Sequence, residues 1–144
     1  MPLHPPAASI GAEVKLLAVG LEDGSEGAAT SCVVTAEALR PPTPVHLKVE
    51  RRSSGDLALG WVRRSRSGWN WTSDSDTALG EERETYRVFV QGSGFSRSFE
   101  VSVPSFVYSV AEQATDGAAG FVTFHVVQVG THGASRAASI GFHI

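Results

Sequence analysis

Cysteine is almost absent: Cys32 is the single one among 144 residues. No disulfide can form within the chain, which excludes a small scaffold stapled by disulfides and fits folding in a reducing compartment. Cys32 itself reads as a small hydrophobe buried in a strand. Long apolar runs are also missing. None approaches the roughly 20 residues that span a bilayer, so no membrane insertion is expected. The opening MPLHPPAAS has neither the basic segment nor the apolar stretch of a signal peptide and reads as a flexible lead-in. Excess charge of one sign is lacking as well. A net charge of −3 and a pI near 5.9 give no overall attraction to nucleic acid or anionic membrane. No stretch shows a convincing amphipathic helical period.

Catalytic and metal signatures are missing too. The five histidines, His4, His46, His125, His132 and His143, do not fall into a metal spacing such as HExxH. There is no GxSxG, no glycine-rich phosphate loop and no CxxC. Asp74 and Asp76 offer carboxylates to calcium, but the glycine and terminal glutamate of a calcium loop are absent. A carboxylate pair for glycoside hydrolysis is the one enzymatic arrangement left open. The expectation is no enzyme, no metal and no cofactor.

What is present is β-forming. The hydrophobic fraction is 42% and the charged fraction 19%, the balance of a globular chain. Glu13 to Val19 and Ser31 to Ala38 predict a hairpin, and a two-stranded hairpin alone is marginal. RPPTP, Arg40 to Pro44, then stiffens the chain and forbids sheet pairing. It divides an N-terminal arm and hairpin, 1–40, from a second domain, 41–144.

After this joint, strands follow regularly: 45–51, 57–63, 85–90, 97–103, 106–110, 121–129 and 136–144. Leu57, Leu59 and Trp61 share a face, as do Tyr86, Val88 and Val90, then Phe99, Val101 and Val103, then Val122, Phe124, Val126 and Gln128. About seven half-polar strands predict an all-β, antiparallel β-sandwich, with a barrel as the alternative. The segment AEQATDGAAG reads as a turn with at most one helical turn.

All three tryptophans lie in WVRRSRSGWNW, 61–71. Trp61 is on the inward face of a strand and reads as core. Trp69 and Trp71 sit in a long polar loop, 64–83. They read either as a cap on an open end of the sandwich or as binding residues, docking on a partner protein or stacking on a glycan. Arg63, Arg64 and Arg66 face Glu81, Glu82 and Glu84 across the loop. Inter-strand pairs such as Arg63 with Glu84 would brace its base. The interleaved acids count against a phosphate-binding patch and against a nucleic-acid partner.

Two features resemble a fibronectin type III module. One is the Leu57-x-Leu59-x-Trp61 strand. The other is HVVQVGTHGAS, which looks like the penultimate strand and turn of such modules. The tyrosine expected at the start of that strand is replaced by Val122, so its corner hydrogen bond is missing or made otherwise.

A second resemblance runs through LRPPTPVHL, LALGWVRRSR, GWNW and LGEERETYRV. These phrases resemble the C-terminal region of the host-specificity, or baseplate hub, proteins at the tail tips of gene transfer agents and siphophages. Trp61, Arg63, Arg64, Arg66, Leu79, Gly80, Glu81, Glu84 and Tyr86 match residue by residue, and the Thr131-His-Gly133 turn fits. Ala78 stands where a proline is expected. The N-terminal hairpin resembles the last two strands of the preceding domain of those proteins.

The resemblance implies a virion structural protein at the tail tip, assembled in the bacterial cytoplasm. Its implied partners are other tail-tip and baseplate proteins and a host-surface glycan or receptor. Trp69, Trp71, Arg64 and Arg66 are the candidate binding residues. Trp61, Arg63, Glu81, Glu84 and Tyr86 are the candidate structural ones. The alternative is a stand-alone carbohydrate-binding module that uses Trp69 and Trp71.

Overall fold

The computed structural model of the chain describes residues 10–18, 28–65, 81 and 83–144. Its internal contacts separate Met1–Leu39 from Arg40–Ile144. Trp69, Trp71, Arg66, Glu82, Asp74 and Asp76, singled out above, lie outside the described residues.

In the first unit, β1 (Glu13–Ala18) pairs antiparallel with β2 (Ala28–Val33), Glu13 opposite Val33 and Ala18 opposite Ala28. The Gly11 and Val34 N–H groups donate to the Val34 and Ala12 carbonyls and extend the ladder at its open end. The second strand lies earlier than the expected 31–38. Beyond it, Ala36 takes a left-handed backbone (φ 59°) and Glu37–Leu39 form a single 3-10 turn, which takes the chain out of the extended region. The expected burial of Cys32 is overturned, since it is exposed. Leu17 and Val33 are each 58% exposed. A two-stranded sheet has no second layer of its own to cover either face.

The second unit contains β3 (Val45–Arg51), β4 (Leu57–Val62), β5 (Tyr86–Gly92), β6 (Phe95–Val101) and β7 (Ser105–Tyr108). It continues with α1 (Val110–Asp116), β8 (Phe121–Gly130), the two-residue β9 (Gly133–Ala134) and β10 (Ala138–His143). One sheet has the order β3-β4-β7. The other has β10-β8-β5-β6, with β9 beside β8, and every pairing is antiparallel. At its start β3 carries a bulge: the register slips between Val45 and Lys48, and His46 has a φ of 54°.

The inward faces follow the period-2 pattern. Leu57, Leu59 and Trp61 meet Tyr86, Val88 and Val90, and Val122, Phe124 and Val126. Three aromatic contacts join the sheets: Trp61 to Tyr86 (centroids 5.1 Å, 75°), Phe106 to Phe99 (4.7 Å, 40°) and Tyr108 to Phe124 (6.1 Å, 79°). Each such pair contributes about 0.5–1.5 kcal/mol beyond its buried area.

Three expectations are corrected. Strand 106–110 stops at Tyr108, and Val110–Asp116 is a helix. Ser109 caps it: its Oγ accepts from the Glu112 N–H, and the Glu112 carboxylate accepts from the Ser109 N–H at 2.8 Å. This reciprocal box stabilises a helix too short to stand on propensity. Strand 97–103 runs instead from Phe95 to Val101, which leaves Val103 53% exposed rather than inward. The turn expected over 130–135 contains the short β9, and the final strand, expected over 136–144, runs as β10 from Ala138 to His143. Among the described residues no helix is long and apolar enough to cross a membrane.

Candidate functional site

The candidate site is the end of the sandwich where β4 finishes, β5 begins and β8 runs out. Trp61 is 6% exposed. The Tyr86 ring, which it meets edge-on, is fully buried. The Tyr86 hydroxyl donates to Glu84 Oε1 at 2.7 Å. Burial raises the Tyr86 phenol well above its ordinary range, and the Glu84 carboxylate pushes the same way. The Arg63 guanidinium acts in the opposite sense.

Glu81 holds the neighbouring turn, with Oε2 accepting the Thr131 N–H at 3.1 Å. Gly130 permits this closeness. A Cβ there would lie 2.5 Å from Pro41 Cγ and 2.6 Å from Glu81 Oε2. The proline joint therefore seats its buried first member, Pro41, against the end of β8. Beside it is an open groove of about 230 Å³ that includes Glu81, Arg83, Thr85 and Glu100.

A pairing of Arg63 with Glu84 at the base of the loop would join the two layers rather than neighbouring strands. β4 and β5 lie in opposite sheets and share no ladder. The carboxylate of Glu84, just before β5, holds the phenol of Tyr86 two residues along. Arg64 is exposed, while Arg63 and Glu84 are half-buried. Trp61, Arg63, Glu81, Glu84 and Tyr86 are thus gathered at one end, while Trp69, Trp71 and Arg66 lie outside the described residues.

Sequence reasoning missed two features. Gln128 lies fully buried opposite Tyr86. Its amide has no hydrogen-bond partner among the described residues. The signal was available, because Gln128 falls on the inward face of an otherwise apolar strand.

The other is a tie at a buried carboxylate. The Tyr108 hydroxyl donates to Asp116 Oδ2 at 2.7 Å, and Arg97 Nη1 donates to Asp116 Oδ1 at 3.0 Å. β7, α1 and β6 are joined at one carboxylate whose side chain is 6% exposed. Burial raises the Tyr108 phenol, with the Asp116 carboxylate adding to it.

No protein-family model matches the sequence, and no curated protein matches it. Solved structures do resemble the chain. The d3–d4 extracellular domains of rat CD45 superpose with a TM-score of 0.54 at 11% identity, covering 100% of this chain and 70% of that one. The fold is fibronectin type III-like. The FN5 domain of Drosophila Lar gives a TM-score of 0.46 at 14% identity, over 72% of this chain and 95% of that one. The fibronectin type-III domain of human fibronectin type III domain containing protein 3 gives 0.45 at 15%, over 83% and 91%. Identities this low speak to fold alone. The expected sandwich is thus observed.

Proposed function

We propose that the chain is a non-enzymatic interaction component of the tail tip of a siphophage or gene transfer agent, part of or attached to the baseplate hub. One observation carries this reading. Among the described residues that match the tail-tip motifs, Trp61 meets Tyr86, Glu84 holds the Tyr86 phenol and Glu81 holds the turn at Thr131. A motif whose members touch behaves as one structural unit, which chance matches along a chain have no reason to do. The hairpin, with its exposed Leu17 and Val33, is the attachment element. Trp69, Trp71, Arg64 and Arg66 are the residues assigned to contact with neighbouring tail proteins or the host. In this reading the protein works in the virion.

Antibody labelling of the chain on purified particles tests the assignment. Label at the distal tail tip is the expected result. Absence of the chain from particles on which control epitopes label would refute it. A particle carrying a chain without residues 1–40 tests the attachment element, since the sandwich should fold yet no longer co-purify with tails.

A further inference from the structure

The outer face of the four-stranded sheet plays no part in the site above. Alternation places Phe121, Thr123 and His125 of β8 on it, with Ser139 and Gly141 of β10 and Gln91 of β5. Phe121 is 61% exposed. Its ring lies over Gly141 on the neighbouring strand, where any Cβ would collide with it. Glycine at 141 is therefore what lets the ring rest against the sheet.

Two residues along β10, about 7 Å at the rise of a strand, Ser139 begins a hydrogen-bonded row across three strands. His125 Nδ1 is 2.7 Å from Ser139 Oγ, and His125 Nε2 is 3.0 Å from Gln91 Oε1. The Gln91 oxygen only accepts, so it takes the Nε2 proton and leaves the neutral ring's Nδ1 to accept from Ser139. The imidazole is fixed in one orientation. The Gln91 amide N–H groups and the Ser139 lone pairs remain available to a ligand.

Charge complementarity selects the occupant. Among the described strand residues, the fixed charges on this face are Arg87 and Glu100, which stand opposite one another at 3.9 Å. A charged ligand finds no unmatched opposite charge here. A sugar ring does fit: its C–H face meets the electron-rich face of an aromatic ring, and its hydroxyls both donate and accept. We propose that this face binds a neutral polysaccharide, with Phe121 as the stacking platform and the Ser139–His125–Gln91 row as its hydrogen-bonding partner. The inference rests on β5, β8 and β10 alone and does not require the tail-tip assignment.

Native gel electrophoresis of the full chain through barley β-glucan, galactomannan and dextran tests it, with anionic alginate as a control. Retardation by at least one neutral polymer is expected. Phe121→Ala should weaken it by roughly tenfold, the effect of one lost stacking contact. Gly141→Val, which displaces the ring without removing it, should weaken it too, as should Gln91→Ala. A Trp69→Ala/Trp71→Ala double variant should bind normally. Unfolding curves identify which variants remain folded. The proposal is overturned by no retardation in any neutral polymer, by retardation in alginate alone, by binding that survives Phe121→Ala, or by binding lost in the double tryptophan variant.

Discussion

The hairpin and the sandwich are built from the same kind of strand, yet one has a core and the other does not. β1 and β4 are equally long, six residues each. In β4 every second residue is covered, because a second sheet lies across from it. In β1 the pattern alternates only between half-buried and exposed, and its partner strand presents Val33 and Cys32 to solvent. Alternation therefore marks the face available for packing. The second layer decides whether that face becomes a core.

Substitution breaks this contrast most strongly in the core. Phe124→Ala and Leu57→Ala, at fully buried positions, should each cost about 2–5 kcal/mol. Leu17→Ala in the hairpin should stay within about 0.5 kcal/mol. Urea unfolding measures all three, and an equal cost at Leu17 would show that the hairpin has a covered face after all. Next in size is Tyr108→Phe, which takes the hydroxyl donor from the buried Asp116 carboxylate. A loss of about 1–3 kcal/mol is expected. Ser109→Ala removes the cap of α1 and should cost about 1 kcal/mol.

A titration sharpens the comparison further. The chain has two tyrosines, both in the sandwich and both donating to carboxylates. Their phenols are raised, chiefly by burial. A group held protonated in the fold stabilises it below the unfolded value near pH 10, and that contribution is lost as pH rises through the folded value. Absorbance at 295 nm should therefore stay flat through the ordinary phenol range and rise together with unfolding. A separate step near pH 10 would show that one ring is open to water. The smallest effect is expected at Cys32: a maleimide should react with it in the native protein and leave the unfolding midpoint unchanged.

The sequence made some of this architecture legible. Leu57-x-Leu59-x-Trp61 and Val122-x-Phe124-x-Val126 state their inward faces directly. The helix was legible in principle, because Ser109-x-x-Glu112 is the signature of a capping box. It was obscured by short length and by the apolar residues just before it. Sheet membership was not legible. Nothing local in β4 or β5 says that a chain entering at Arg63 returns at Glu84 on the opposite layer. The phenol–carboxylate tie between Tyr108 and Asp116 depends on a helix folding back across β7 and on Arg97 from β6, a three-body arrangement with no spacing rule. The platform at Phe121 was hidden in a glycine, since Gly141 reads as a weak strand position until a ring is seen lying on it.

The bulge at the start of β3 bears on how this protein behaves in a crowd. β3 is an outer strand of its sheet, the kind of border along which separate molecules zip together into fibres. The slipped register at Val45 and Lys48, the left-handed His46 and the prolines just upstream leave no straight row of donors and acceptors for a newcomer. Copies meeting side by side would find the ladder broken at that end of the border.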